Sequence, residues 1–380
     1  MLTGQTGGID MYRFFVIIVW ALAVCGLGPQ TAKACETTDK VIMGVWPGQL
    51  GLTQIFAAEN MVLAGGLSPA ARHCLDIEMV TLTDISQFDI ALQQGVPEGV
   101  FISTDTTSFV VNRSRILEIG SGEKAVVVGH LNNASYGVYA RKGKSLGEGS
   151  RLATSRCGWQ DRELTTPLSP AEATEALSIP TLVMLPWLRA EGHRIWCGMT
   201  PPPDFKGVQL IPVGNASKRD AAFLDVQNKI DFMVFTIERA TARTVGENPE
   251  LELVVGPEKL RRIPEALLIA RESCLSEDVC ADVVRRTVAA IKEVRQAMLS
   301  GREAMTSETI RRYAASDGNK ASIKGADNEA VTTILARYLI SHELPQTGIS
   351  HDDLLEMIEE NGWQGVTPEE LVDPRIAVFD

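Results

Sequence analysis

Apolar residues along this chain follow two rhythms. Short runs bounded by turn residues occupy 41–45, 77–80, 100–102, 125–128, 136–140, 208–213, 251–255 and 266–270, and another starts at Arg151. Runs of that length predict buried strands, and Pro47-Gly48 stops the first of them cleanly. Between the strands the apolar spacing lengthens to three and four. Leu52, Ile55 and Phe56 open a helix over 52–63 that closes on Gly65-Gly66, and Thr83-Asp84 offer an N-cap for one running to Gln94. Pro180 starts an apolar helix over 181–190, within which Pro186 predicts a kink or a break. Gly214 to Ser217 cap a helix over 218–228, and helices are predicted over 279–299, 307–315, 329–342 and 351–361. Strands 251–255 and 266–270 are expected to return the chain to its first lobe.

One pattern occurs twice. In 94–103 and again in 227–236, a helix ends at a turn residue (Gly95, Asn228), an acid follows three positions later (Glu98, Asp231), and a short apolar strand stops at a hydroxyl (Ser103, Thr236). Gly and Asn tolerate the left-handed conformation that helix C-termini use. A helix-turn-strand unit used twice predicts two similar lobes. Ligands of open α/β sheets sit beyond the carboxyl ends of the strands, so Ser103 and Thr236 are expected to face a shared cleft. The hydroxyl-rich run Ser103 to Ser108 can hold a ligand or simply cap a helix, with about equal weight.

The N-terminus changes the picture. Met11-Tyr12-Arg13 precedes an unbroken apolar run over 14–27, and Ala32-Lys33-Ala34 is a small-x-small cleavage site. A run of 14 residues is short for a membrane span and suits a signal peptide, predicting export to the periplasm with cleavage after Ala34. Translation from Met11 is an alternative start, and an uncleaved anchor is the rival reading. Cleavage removes two cations and one anion, taking the net charge from −12 to −13. Such acidity speaks against nucleic acid and anionic lipid as partners.

Cleavage also removes Cys25 and leaves six cysteines in an oxidising compartment. Fifteen connectivities are open to six cysteines. Position narrows them: Cys35 and Cys74 each precede a strand, Cys157 and Cys197 would close the second lobe, and Cys274 and Cys280 bracket a helix mouth. No CxxC or His-x-x-His spacing supports zinc, and the five histidines are scattered. Ser350-His351-Asp352 suggests a catalytic triad only on paper. Adjacent helical residues point in different directions, so the triplet reads as an N-cap.

The ordering of several motifs resembles a known family, the type II periplasmic solute-binding proteins of ABC importers, in the branch that takes nitrate, sulfonates, taurine and pyrimidine precursors. The motifs are Ile42-Met43-Gly44-Val45-Trp46-Pro47, Ala57-Ala58-Glu59 with Gly66-Leu67, the doubled unit, Pro264 to Ala270 before Cys274, and Leu371-Val372-Asp373. Departures are Asn60-Met61-Val62 where the family commonly has Gly-Tyr-Phe, Glu98 where it has Asp, and a long insert over 159–179.

The resemblance implies an α/β fold of two Rossmann-like lobes joined by a two-crossing hinge: signal peptide 1–34, first lobe 35–134, second lobe 135–238, and 239–380 returning to the first. It implies a cleft lined by Trp46, Gln49, Ser103, Thr104, Asp105, Thr106, Ser135 and Tyr136, facing Arg156, Trp159, Asn215, Ser217 and Thr236. Indole and phenol rings would stack on a ligand while hydroxyls and amides fix its polar ends. Arg156 suits a carboxylate or sulfonate, whereas Asp105 suits an amine or ring N–H. A small organic solute and an inner-membrane permease are the implied partners of a monomer, with no cofactor and no catalytic residue. A periplasmic sensor or adaptor of the same fold, and an enzyme resembling the pyrimidine-precursor synthase, are the alternatives.

Overall fold

The computed structural model describes residues 35–345 except 47–48, 64–65, 83–84, 97, 107–123, 158–160, 165–177, 215, 226, 228, 246–248, 263, 302 and 317–322, and beyond 345 only Asp352, Leu355 and Thr367. The expected signal peptide, most of the insert and most of the 351–361 helix lie outside the described residues.

Strands β1 (Asp39–Val45), β2 (Leu75–Thr81), β3 (Val100–Thr106) and β4 (Ala125–Asn133) come first. After them run β5 (Tyr136–Arg141), β6 (Arg151–Thr154), β7 (Arg162–Glu163), β8 (Ile195–Cys197), β9 (Val208–Pro212), β10 (Phe232–Thr236), β11 (Leu251–Val255) and β12 (Pro264–Arg271). The helices are α1 (Thr53–Asn60), α2 (Pro69–Arg72), α3 (Ile85–Gln94), α4 (Ile179–Ala190), α5 (Ala216–Leu224), α6 (Ile237–Thr244), α7 (Glu272–Ser276), α8 (Asp278–Leu299), α9 (Glu303–Ala315) and α10 (Glu329–Tyr338). A short turn of helix at Leu50–Leu52 precedes α1, and a wide turn at Leu339–Glu343 follows α10.

Two sheets result. The first has the order β2-β1-β3-β12-β4 and the second β11-β5-β10-β6-β9-β8-β7. In the first, β1 runs parallel to β2 and β3, and β12 runs antiparallel to both β3 and β4. In the second, β10, β6, β9 and β8 are parallel neighbours, with β5 and β11 antiparallel at one side. Edge strand β2 alternates inward Leu75 and Ile77 with exposed Asp76 and Glu78, as an edge with one open face should.

The chain passes from the first sheet to the second through Ala134 and Ser135 alone, between β4 and β5. It returns between Val255 and Pro264. The expectation that 251–255 returns to the first lobe is therefore corrected, because β11 pairs antiparallel with β5 of the second sheet. Pro186 does not end α4. The carbonyl of Val183, three residues before it, accepts the Arg261 amide at 3.1 Å, an outside donor next to the proline's gap. Helix α5 stops at Leu224 instead of 228, and the left-handed residue before β10 is Lys229.

Both faces of the second sheet are buried, and the period of two sorts its side chains. On β10, Phe232 and Val234 pack with α4, whereas Met233 and Phe235 join the larger core that runs through the first sheet and the C-terminal helices. Helix α8 covers the first sheet with Val284, Val288, Ile291, Val294 and Met298, spaced three or four apart. Disulfides join Cys35–Cys74, Cys157–Cys197 and Cys274–Cys280, the pairs that strand positions suggest.

Candidate functional site

The two crossings bring together side chains that are far apart in sequence. At the first, β4 ends and β5 begins; at the second, Pro264 pairs with Asn133 and Ala266 with Asn132. In the second sheet Thr236 pairs with Tyr136, and the amide of Ile237 donates to the Ser135 carbonyl at 3.0 Å. The start of α6 is thereby tied to the crossing. The 339–343 turn packs on β4 and on the 50–52 turn. Arg262 in the second crossing donates to the Ser341 carbonyl at 2.9 Å and holds that turn in place.

Glu265 sits at the centre of this junction. One carboxylate oxygen accepts from the Tyr136 phenol at 3.0 Å and the other from the Asn132 amide at 3.3 Å. Behind Asn132, the end of β4 is fixed by Arg295 and Gln54. Gln54 donates to the Leu131 carbonyl at 2.7 Å and accepts from Arg295 at 3.0 Å, while the guanidinium also donates to the His130 carbonyl. A side chain at Gly51 would collide with the Asn132 amide oxygen, so glycine lets the 50–52 turn approach.

Around this frame several buried polar atoms have no partner of good hydrogen-bond geometry: Trp46 Nε1, Gln49 Oε1, Asn132 Oδ1, Ser135 Oγ, Thr236 Oγ1 and Glu343 Oε2; the two hydroxyls nevertheless lie close enough to Glu343 and Glu238 to favour their ionised forms. Buried polar groups are nearly always paired, and each orphan costs about 1–3 kcal/mol. These atoms come from both sheets, the first crossing and the 339–343 turn, and they mark a place built for something to bind. Trp46 and Gln49 follow the carboxyl end of β1, and Thr236 ends β10, where α/β proteins hold ligands.

The junction is electrically unusual. Burial pushes the Glu238 carboxyl up to about 8, helped by the charge of Glu265. Burial pushes Glu265 up to about 7 against the two hydrogen bonds that favour its ionised form. Glu343 rises well above the carboxylate range through burial and then through Glu238 and Glu265. Tyr136 is raised by burial and by Glu265. Arg219, which is buried, donates to Ser155 Oγ, keeps an unpartnered Nε, lies 5.9 Å over the Phe235 ring and acts on Tyr136, while Arg239 acts on Glu238. No group of three or more His, Cys, Asp or Glu among the described residues could hold a metal.

Of the residues expected in the cleft, Ser135, Tyr136 and Thr236 meet at the first crossing, Gln49 leads into the 50–52 turn that packs on β4, and Trp46 follows β1 with a buried, unpartnered Nε1. Ser103 and Thr104 do not take the expected place at a strand end. Pairing with β12 extends β3 to Thr106, so both hydroxyls are fully buried and directed at the Gly44 carbonyl, at 3.1 and 3.5 Å. Asp105 and Thr106 are described in backbone only, opposite Leu267 and Ala266. Arg156 is exposed, its backbone N–H and carbonyl both bonded to the Ser178 hydroxyl, and Ser217 is exposed on α5. Trp159 and Asn215 lie outside the described residues.

Sequence reasoning missed Asn132, Glu265 and Glu343 as site residues and gave Glu238 no role. A signal existed for Glu265, a lone carboxylate at the head of the apolar strand 264–270. Glu238 also had one, directly after the hydroxyl that ends the second copy of the doubled unit.

This arrangement of two α/β sheets joined by two crossings is the fold of type II periplasmic binding proteins. The periplasmic aliphatic sulphonate binding protein SsuA from Escherichia coli has a similar structure, with a TM-score of 0.52 and 13% identity over 90% of this chain and 93% of that one. A protein from Bordetella bronchiseptica RB50 gives 0.50 and 13% over 90% of this chain and 94% of its own. No protein-family model matches the sequence, and no curated protein does. At such identities the likeness defines the fold.

Proposed function

We propose that this protein is an exported solute-binding protein that captures a small organic solute at the junction of its two sheets and delivers it to an ABC-transporter permease. The first sheet with the C-terminal helices forms one lobe and the second sheet with α4, α5 and α6 the other. Segments 134–135 and 256–263 are the hinge strands between them. The observation that carries this reading is the set of poorly partnered buried polar atoms contributed by both sheets and the first crossing. A solute that satisfies groups on both sides stabilises the closed arrangement through its differential contacts. The disulfides and the N-terminal apolar run support a periplasmic setting.

Thermal-shift screening of the secreted protein against organic solutes tests this reading. A solute at a hundred times its dissociation constant adds about 2.7 kcal/mol of stability. A binder whose effect disappears in Thr236→Val and Trp46→Phe supports the site. A screen with no binder at all overturns it.

A further inference from the structure

If the protein holds a solute as proposed above, Arg219 sets the charge of one end of it. This residue is 3% exposed and lies in the first turn of α5. The loop that leads into α5 is tied to the end of β6: the Val213 amide donates to the Thr154 carbonyl at 2.9 Å and the Gly214 amide to that of Ser155 at 3.0 Å. The guanidinium turns back over this loop, and its Nη1 donates to Ser155 Oγ and to the Gly214 carbonyl, the latter at 3.2 Å. On β10, the neighbour of β6, the Phe235 ring lies 5.9 Å from it, and Thr236, the next residue, pairs with Tyr136 at the first crossing. The charge is thus held just beyond the carboxyl ends of β6 and β9, where α/β sheets receive ligands.

No counter-charge meets it among the described residues. Both Nη1 partners are neutral, and Asp220, the next acid along the chain, is paired with Arg243. The titratable groups that act on Arg219 are Tyr136 and a second cation, Arg239. Burial pushes its pKa down, yet a guanidinium keeps its charge. A buried ion without an opposite charge gives up its hydration and gains little in return. The start of α5 adds to the cost, because its first turn carries Lys218 and Arg219 and no acid, at the end of a helix whose dipole favours anions. One bound anion relieves both.

The guanidinium has a free edge for it. Nη1 alone is engaged; Nε is buried with no partner, and Nη2 bonds to nothing among the described residues. Nε–H and Nη2–H point the same way in one plane, the fork that a carboxylate meets with its two oxygens. We infer that the solute is a small organic acid whose carboxylate takes the Nε–Nη2 edge of Arg219, while Nη1 stays on Ser155 and Gly214 and fixes the plane of the fork. A sulfonate would bring a third oxygen that this edge leaves without a donor.

The test is calorimetric titration of the whole protein with benzoate and butyrate, each beside its neutral amide, and with ethanesulfonate. One or both acids should bind at least about tenfold more tightly than the matching amide, the factor that a hydrogen bond to a charged group carries, and more tightly than ethanesulfonate. Arg219→Lys keeps the charge and loses the fork, and should weaken the acids by about tenfold; Arg219→Met should abolish their binding. The empty Arg219→Met protein should melt no lower than the parent, because an unpaired buried ion has been replaced by an apolar side chain. A lower melting point with acid affinity unchanged would make Arg219 a structural staple and overturn the assignment. The comparison of acid with amide on the unaltered protein carries the test if the variants fail to fold, and equal affinities overturn it. Binding of ethanesulfonate or an amide without either acid overturns the carboxylate assignment and leaves the solute-binding reading standing. Binding by none of the five overturns the assignment, while the wider thermal-shift screen decides the solute-binding reading by itself.

Discussion

The phenol of Tyr136 donates a 3.0 Å hydrogen bond to Oε1 of Glu265, and the two residues belong to different sheets. Tyr136 opens β5 just after the chain leaves the first sheet, and Glu265 lies in β12 just after it returns. One hydrogen bond thus spans both crossings.

Tyr136→Phe removes that donor and leaves a carboxylate oxygen of Glu265 without it. The expected cost is about 1–3 kcal/mol in urea unfolding. Because the bond favours the ionised form, the Glu265 pKa should rise further in the variant, visible by carboxyl-labelled NMR.

Stability of the empty protein should fall as pH rises from 5 to 8.5. Glu238, Glu265 and Glu343 all have folded pKa values above their unfolded ones, so the folded chain binds more protons than the unfolded chain across this window. Their stabilisation is complete below the ordinary carboxyl range and is lost as pH climbs through about 7 and about 8. Exposed Glu163 and Glu308, lowered by their arginine partners, act only at the acid end. Melting curves across the window check the slope, and Glu238→Gln should flatten it.

Arg295→Met keeps aliphatic volume but takes the guanidinium from Gln54 and from the His130 and Leu131 carbonyls. These groups are buried, and the loss should cost about 2–4 kcal/mol in urea unfolding. The end of β4 should also loosen, with faster amide exchange at Leu131 and Asn132 than at Val127.

The three disulfides should contribute unequally. Cys35–Cys74 and Cys157–Cys197 close loops with separations of 39 and 40 residues, and Cys274–Cys280 one of 6. In the chain-entropy model the long loops are each worth about 4 kcal/mol and the short one about 2 kcal/mol. Paired serine replacements, read by denaturant unfolding, should reproduce that order.

Most strands were legible because each is a short apolar run with turn residues at its ends, and α8 because its apolar residues keep helical spacing over 22 positions. What local pattern could not show was partnership. The sequence 251–255 looks the same beside β5 as it would in the first sheet, and only long-range pairing decides. Ser103 ended an apolar run, yet β12 lies alongside and draws the strand three residues onward. Trp46, Tyr136 and Thr236 stood at strand boundaries, where a cleft can be anticipated. Glu343 was not legible at all. Its carboxyl comes near Glu238 and Glu265 only because the wide turn after α10 folds back onto β4, and nothing local to 339–343 announces that.

If solute binds where the two crossings meet, hydrogen–deuterium exchange with and without a bound solute shows it without intermediaries. New protection is expected at 46–51, 131–137, 236–239 and 264–266, segments of both sheets slowed together. Protection confined to one sheet, or to the groove between α9 and α10 lined by Glu303, Ser307, Arg311 and Thr332, would contradict it.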